Sequence, residues 1–170
     1  MIRTERLLLR LPVMADLPEF HDIMRRPEAM TYWSTPPHPD LATTERWLAS
    51  HVTRDPAVAV EFAVEYQGRM IGKVGGSEMP EIGYIFHPDF WGRGFAHEAM
   101  AAVVDYAFDH WPVDHLLADI DPRNDASRRL LLKLGFQLYR HANNTFCVGG
   151  VWVDSDYYVL PRPEGKKESI

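Results

Sequence analysis

Two glycines between residues 91 and 96 are the feature that most directly suggests chemistry. Gly92 and Gly94 separate a strand-like run, residues 81–86, from an amphipathic helical pattern. Glycine lets the backbone approach a ligand closely, and the first turn of a helix leaves several amide protons without internal partners. Such a helix start binds phosphate groups. A tight connection between strand and helix explains the glycines alone equally well.

The helix that follows is predicted to be anchored on a sheet. Ala96, Met100, Val103 and Ala107 recur at intervals of four, three and four, which indicates one apolar face. Its start would point beyond the carboxyl end of the preceding strand, where open α/β sheets commonly hold ligands. The segment lacks the Gly-Lys-Ser/Thr of a nucleotide P-loop and the full Gly-x-Gly-x-x-Gly of a dinucleotide fold.

The residues from Trp91 to Ala96 read Trp-Gly-Arg-Gly-Phe-Ala, which resembles motif A of the GNAT superfamily of N-acetyltransferases. That motif is Gln/Arg-x-x-Gly-x-Gly/Ala, and Trp91 departs from its first position. The preceding His-Pro-Asp-Phe, residues 87–90, extends the resemblance to the RimJ/RimL branch of ribosomal-protein N-acetyltransferases. Residues 121–129 and 131–136 resemble motif B. The resemblance covers roughly residues 4–160 and is strongest from 81 to 136.

This resemblance implies an acetyl-CoA-dependent N-acetyltransferase. Such an enzyme transfers the acetyl group of acetyl-CoA to a primary amine, either a protein N-terminus or a small molecule, by direct attack in a ternary complex and without a metal. The turn amides would hold the CoA pyrophosphate, Asn124 the pantetheine arm and Arg128 the adenosine phosphates. The implied cofactor-binding residues are Ile85, Phe86, Trp91, Gly92, Arg93, Gly94, Phe95, Ala96, His97, Asn124, Ser127 and Arg128.

Glu81 and Ser127 are the candidate catalytic residues. Glu81 begins the strand leading to the glycine turn, so its carboxylate could take a proton from an ammonium group, directly or through water. Alternatively, it pairs with a surface cation. Many GNAT enzymes carry a tyrosine four residues before a Gly-Phe pair, where this chain has Leu131. Ser127, near the sulfur by resemblance, is the expected substitute, unless it is a plain helix residue and Asn124 only a helix cap.

Three further residues, His97, Glu78 and Asp154, are secondary candidates. The missing tyrosine keeps a second function open, that of a non-catalytic protein that binds acetyl-CoA or CoA as a sensor. None of the eight histidines lies in an HExxH or similar pattern, so no metal is expected.

Composition and charge limit the class of protein further. The 170 residues, 46% of them hydrophobic, suit one domain, predicted at 1–160, followed by a flexible tail at 161–170. The net charge of −6 disfavours nucleic acid as a partner and would attract a cationic amine. A single cysteine, no signal-peptide pattern and no membrane-spanning run predict a cytoplasmic protein without membrane partners. A homodimer is left open.

The predicted elements form a mixed α/β protein. Antiparallel strands come first, including a hairpin turning at Gln67 and Gly68, and a βαβα stretch follows. The resemblance implies a GNAT fold with a central mixed, mostly antiparallel sheet of about seven strands, about four helices and a splayed central strand pair. The proline-rich segment 31–39 is expected to be irregular, either as a wall of the substrate site or as a packed connection. The main predicted strands are 6–11, 58–66, 70–74, 81–86, 115–120, 136–139 and 151–160, and the helices are 16–26, one after Asp40, 94–109 and 125–134.

Overall fold

The computed structural model describes residues 1–55 and 60–165, which form one eight-stranded sheet in the order β1-β2-β3-β4-β5-β6-β8-β7. Neighbouring strands run antiparallel except β5 and β6, which are parallel. The strands are β1 Ile2–Arg3, β2 Leu8–Arg10, β3 Val60–Tyr66, β4 Arg69–Glu78, β5 Glu81–Phe86, β6 His115–Ile120, β7 Gln137–Val148 and β8 Val151–Pro161.

Helices cover both faces of the sheet. On one face, α4 and α5 pack with apolar side chains such as Phe86, Met100 and Leu131. On the other face, Phe20 and Leu48 pack against Ile85. The helices are α1 Leu17–Met24, α2 Pro27–Met30, α3 Leu41–Val52, α4 Phe95–His110 and α5 Asp125–Lys133.

Local sequence accounts for several element boundaries. Gln67 and Gly68 have φ of 51° and 79°, which makes the two-residue hairpin turn between β3 and β4 that was predicted. Asp40 caps α3 by accepting a hydrogen bond from the Thr43 amide at 2.7 Å. The predicted mixed α/β fold is confirmed, with eight strands and five α-helices in the described residues rather than about seven strands and four helices.

Two of the extra features have simple physical reasons. Pro27, which directly follows the predicted helix 16–26, starts the extra helix α2, because its fixed φ and missing amide proton suit a first helical position. Strand β7 runs well past Tyr139, its predicted end, because its polar residues pair with β8 although most of its side chains are exposed. An edge strand exposed on both faces has no apolar alternation to indicate it.

The chain beyond β8 departs from the predicted flexible tail at its start. Pro161 belongs to β8, and the Arg162 guanidinium donates to the carbonyl groups of Phe108, Trp111 and Val113 at 2.6, 2.6 and 2.8 Å. Arg162 thus closes the end of α4 against the sheet. Residues 166–170, and residues 58 and 59 of the predicted strand 58–66, lie outside the described residues.

The sheet opens between β5 and β6, which confirms the predicted splayed pair. Only Glu81 and Leu117 face each other across these strands in the described register. The Leu117 amide also donates to the Pro80 carbonyl at 2.9 Å, just before β5 begins. Beyond this point the strands diverge, and their backbone groups become available on both sides of the gap.

Candidate active site

A cavity of about 730 Å³ occupies the gap between β5 and β6 beside α4 and α5. We call it the first cavity. Its walls combine β5, β6, the glycine turn, the starts of both helices and residues of the 31–39 segment. Ten of the twelve predicted cofactor-binding residues line it: Ile85, Phe86, Trp91, Gly92, Gly94, Phe95, Ala96, His97, Asn124 and Ser127.

The glycine turn has the geometry of a backbone cradle. Gly92 and Gly94 have φ of 70° and 81°, in the left-handed region that favours glycine. A Cβ on Gly92 would meet no atom within 4 Å, so that side of the turn is open. The first bond of α4 joins the Glu98 amide to the Gly94 carbonyl at 3.0 Å, so the helix has no internal partner for the amide protons of residues 95–97. The turn therefore suits a diphosphate.

The turn is braced by contacts that sequence did not indicate. The Trp91 indole donates to the Phe86 carbonyl at 2.9 Å, and Arg6 donates to the Arg93 carbonyl at 3.0 Å. Arg6 also pairs with Glu98 at 2.7 Å. Burial alone would raise the pKa of Glu98, but hydrogen bonds from Thr4 and Arg6 outweigh it and lower that pKa.

Arg93 and Arg128, the two predicted cationic contacts, do not line the first cavity. The Arg93 guanidinium lies 4.8 Å from the centre of the Phe95 ring, and Arg128 pairs with Asp125 at 2.6 Å. Arg129 and Lys133 line the cavity instead. These two residues are four apart on α5, so they share a helix face, and only the rotation of α5 in the fold decides which cations face the cavity.

Ser127 carries a hydroxyl inside the first cavity and is held from both sides. Its amide donates to the Asn124 side chain at 3.1 Å, so Asn124 caps α5 and lines the cavity as well. The Ser127 Oγ lies 2.7 Å from the Tyr84 hydroxyl. No role for the Tyr84 side chain was predicted from the sequence. Burial raises the pKa of Tyr84, although the hydrogen bond with Ser127 opposes that shift.

A second cavity of about 600 Å³ meets the first one at the splayed strands. Both cavities are lined by Thr31, Tyr32 and Trp33 of the irregular segment, so this part of the segment forms a wall. The hairpin of β7 and β8 contributes Val148, Val151 and Val153 to the second cavity. The two cavities therefore share a junction between β5 and β6, and residues of the 31–39 segment line both cavities at this junction.

The second cavity is strongly acidic. Its two cations are both paired: Lys73 with Glu61 in a buried ion pair, and Arg123 with Asp121 at 2.5 Å. Neither Glu78 nor Glu81 has an ion-pair partner among the described residues, in contrast to the surface pairing considered for Glu81. The carboxylates that line this cavity are Glu61, Glu78, Glu81, Asp119, Asp121 and Asp154.

The pKa of Glu81 is raised by desolvation in the cavity wall, then by the nearby carboxylates of Asp119 and Glu78. Part of the side chain remains open to solvent, which leaves a path for a substrate proton. A Cβ on Gly76 would overlap the carbonyl oxygen of Glu81, so a glycine is required where β4 supports the start of β5. A raised carboxylate pKa makes Glu81 a stronger base once it is ionised.

Asp119 is a second carboxylate at the junction, and sequence reasoning missed it. It lines both cavities, whereas Glu81 lines only the second. Burial raises the pKa of Asp119, against the hydrogen bond from Ser155 that lowers it. Its only sequence signal was its place near the end of β6. Among the secondary candidates, His97 lines the first cavity, and Glu78 and Asp154 line the second.

The chain matches a known protein family over most of its length. Residues 6–137 match the family described as acetyltransferase (GNAT) domain. The chain belongs to the GNAT acetyltransferase family. This membership confirms the predicted family.

Among its relatives is the uncharacterized N-acetyltransferase YnaD of Bacillus subtilis, 29% identical over 89 residues, or 52% of each chain. The [ribosomal protein uS5]-alanine N-acetyltransferase of Escherichia coli is 28% identical over 83 residues, 49% of this chain and 43% of that one. The GNAT chain thus spans about half the length of these curated relatives or less. The RimJ/RimL-like branch of ribosomal-protein N-acetyltransferases is supported by the second of these names.

Two solved structures show the same fold. A RimL ribosomal L7/L12 α-N-protein acetyltransferase in complex with coenzyme A has a TM-score of 0.82 at 17% identity, covering 93% of this chain and 95% of that one. The spermidine N-acetyltransferase of Vibrio cholerae, in complex with CoA and spermine, has a TM-score of 0.81 at 23% identity, covering 93% and 96%.

No helix within residues 1–55 and 60–165 is long and apolar enough to cross a membrane. The same residues contain no group of three or more His, Cys, Asp or Glu side chains placed to hold a metal ion.

Proposed function

We propose that this GNAT protein transfers the acetyl group of acetyl-CoA to a cationic primary amine, with acetyl-CoA in the first cavity and the amine in the second. The observation that carries the proposal is the meeting of the two cavities at the splayed strands. There, a thioester on one side and an amine on the other can reach each other without an intermediate carrier. Holding both reactants at one point supplies much of the rate enhancement of such a reaction.

The first cavity fits acetyl-CoA in its chemistry. The amide protons at the start of α4 and the open side of Gly92 suit the diphosphate, and Arg129 and Lys133 can neutralise further phosphate charge. Ile85 and Phe86 line the first cavity at the splay, where backbone groups of β5 that do not pair with β6 can bind the amide groups of the pantetheine arm. When bound, acetyl-CoA supplies an acetyl group activated as a thioester.

The second cavity supports an amine that carries positive charge. Glu78, Glu81 and Asp119 lie in its wall, and only Lys73 and Arg123 among its lining residues are cations, each already paired. The volume of about 600 Å³ falls within the usual range for small-molecule sites, and it also admits the first residues of a peptide. The named relatives act on a ribosomal-protein alanine and on spermidine, which are both amine substrates.

Two groups at the junction have the chemistry that amide formation requires. Glu81 takes a proton from the acceptor ammonium, directly or through water, because only the uncharged amine is a nucleophile. Asp119 is the other candidate for the proton acceptor. Ser127 donates a hydrogen bond to the departing sulfur, which stabilises the thiolate charge as the bond to carbon breaks.

The alternative, a CoA-binding sensor without catalysis, rested on the missing tyrosine at position 131. In the structure a phenol from another element, that of Tyr84, reaches Ser127. The presence of two hydroxyl groups near the expected sulfur position favours catalysis. A cytoplasmic location, a homodimer, the absence of nucleic-acid partners and the single domain with its tail stay predictions.

The test is a screen of amines with acetyl-CoA, with release of free CoA thiol as the measurement. The panel contains polyamines, peptides with free N-termini, and alkylamines that carry no charge besides the reacting amine. We expect thiol release with at least one cationic amine and binding of CoA by calorimetry. Binding of CoA without release above background for every acceptor would favour the sensor instead.

A further inference from the structure

We propose that Tyr84 is a positioning residue for acetyl transfer: its phenol donates to Ser127 Oγ and thereby turns the Ser127 proton toward the sulfur of CoA. This inference rests on the proposed function. Ser127 would make the contact with the sulfur, and Tyr84 would act through it.

The contact joins two elements that are distant in sequence. Tyr84 lies in the middle of β5 and Ser127 in the first turn of α5, and their oxygens are 2.7 Å apart. Both residues line the first cavity at the splay, where the thioester end of the cofactor must lie to reach the second cavity. Ser127 is 8% exposed, so its hydroxyl has few alternative partners.

The direction of the hydrogen bond follows from the chemistry of the two hydroxyls. A phenol is more acidic than an alkyl hydroxyl and is the better donor. Burial raises the pKa of Tyr84, so the phenol keeps its proton throughout the neutral range. No other hydrogen bond of the Tyr84 hydroxyl is found in the described residues. If Tyr84 is the donor, the serine proton is free to point elsewhere.

This arrangement matters when the thiolate leaves. A serine hydroxyl that donates to tyrosine would present a lone pair to the developing negative charge, which is repulsive. A serine that accepts from tyrosine presents its proton, and chains of hydrogen bonds polarise one another. Tyr84 therefore replaces, from β5, the phenol that position 131 lacks, where the side chain of Leu131 is buried in the core.

A purely structural role for Tyr84 makes a different prediction. If Tyr84 only connected β5 to α5, it would stabilise the walls of the first cavity or restrict entry of the cofactor. Removing the hydroxyl would then change the affinity for CoA or the thermal stability. It would not change the ionisation of the bound thiol.

The experiment compares Tyr84→Phe, Ser127→Ala and the double variant with the wild type. The first measurement is the thiol pKa of bound CoA, followed by thiolate absorbance, which needs no acetyl transfer. Donation from Ser127 should lower this pKa below that of free CoA measured in the same buffer. Tyr84→Phe should raise it by roughly half a unit to one unit, and Ser127→Ala by at least as much.

The second measurement is steady-state kinetics with an acceptor found in the screen. Tyr84→Phe should lower kcat roughly fivefold to tenfold, with KM for acetyl-CoA changed less than about twofold. In the Ser127→Ala background, Tyr84→Phe should cause almost no further loss of kcat, because Tyr84 acts on the sulfur only through the Ser127 hydroxyl.

The control is Tyr106→Phe. Tyr106 is also half-buried, lies on α4 with its ring stacked on His110 at 3.8 Å, and lines neither cavity. It should leave both the thiol pKa and kcat unchanged.

Two results would overturn the inference. One is a thiol pKa of bound CoA that is the same in Tyr84→Phe as in the wild type. This result would overturn the inference even if Tyr84→Phe changed the affinity for CoA or the thermal stability. The other is an equal loss of kcat in the wild-type and Ser127→Ala backgrounds. A wild type that binds CoA but acetylates no amine would refute the proposed function alone, since the thiol measurement would still decide the role of Tyr84.

Discussion

The two cavities of this GNAT protein are built in different ways. The first depends on backbone: a turn with two left-handed glycines, the free amides at the start of α4 and the strand edge exposed at the splay. The second depends on side chains from six strands and the irregular segment, with charges brought together across the sheet. A backbone site can serve a ligand common to a whole family, while a side-chain site can change its acceptor by substitution.

The two cavities also differ in how their walls are held. The glycine turn is braced at the surface by Arg6, which reaches both the Arg93 carbonyl and Glu98. The second cavity is held by a buried charge, the Lys73 ammonium, which pairs with Glu61 and lies 5.8 and 5.5 Å from the ring centres of Trp33 and Trp47. Burial lowers the pKa of Lys73, while Glu61 opposes that shift. Disturbing each wall should therefore have separate consequences.

The largest expected effect comes from breaking the buried pair. Lys73→Ala removes the nearest cation from the buried Glu61 and leaves it with only His51 at 3.1 Å and Arg54 at 3.7 Å, which should reduce the free energy of unfolding by about 3 kcal/mol, measured by urea denaturation. Lys133→Ala, at an exposed position, should change it by less than about 0.5 kcal/mol. The double variant Lys73→Met/Glu61→Gln should regain part of the loss. A small loss in Lys73→Ala would mean that water reaches the pair and that it does not hold the wall.

The next effect tests which carboxylate serves the junction. Glu81→Gln should lower kcat/KM for the amine by about 100-fold near neutral pH, because the proton acceptor is lost. Burial and the neighbouring carboxylates raise the pKa of Glu81, so wild-type activity should fall as the pH drops through that raised value and Glu81 becomes protonated. The acid limb attributable to Glu81 should vanish in the Gln variant. The matched variant is Asp119→Asn. A larger loss of kcat/KM in this variant than in Glu81→Gln would identify Asp119 as the general base.

A smaller effect tests the backbone site. Gly94→Val introduces a β-branched side chain at φ of 81°, with its Cβ near Arg6, and should weaken acetyl-CoA binding about thirtyfold by calorimetry. Gly68→Val carries the same backbone strain at φ of 79° in a hairpin turn that lines neither cavity. It should reduce stability but leave affinity for acetyl-CoA unchanged. Equal affinities in the two variants would argue against the glycine turn as the diphosphate site.

The smallest effect concerns the charge of the second cavity. Glu78 is exposed and unpaired among the described residues, so Glu78→Gln should raise KM for a cationic amine only about threefold. The difference should shrink at high salt, because exposed charges are screened. KM for acetyl-CoA serves as the internal control and should not change. A larger effect on acetyl-CoA than on the amine would reverse the assignment of the two cavities.

Most of the fold and the first cavity could be predicted because their signals are local. The hairpin turn at Gln67 and Gly68, the cap at Asp40 and the glycine turn each depend on a few consecutive residues. The exceptions have physical reasons. Strand β7 has no apolar face, so its length cannot be recognised from an alternating pattern. The rotation of α5 depends on what the helix packs against, and this rotation brings Arg129 rather than Arg128 to the first cavity.

The sequence by itself determined that a helix starts at a glycine turn after a central strand, because backbone conformation and free amides there follow from residue types within one short segment. It also determined the family, through two motifs of the same local kind. Only the tertiary structure decided that Tyr84 meets Ser127, that Asp119 joins Glu81 at the junction, and that Lys73 is buried against Glu61. These contacts depend on the relative register of strands and the placement of helices, which the packing of the whole chain sets.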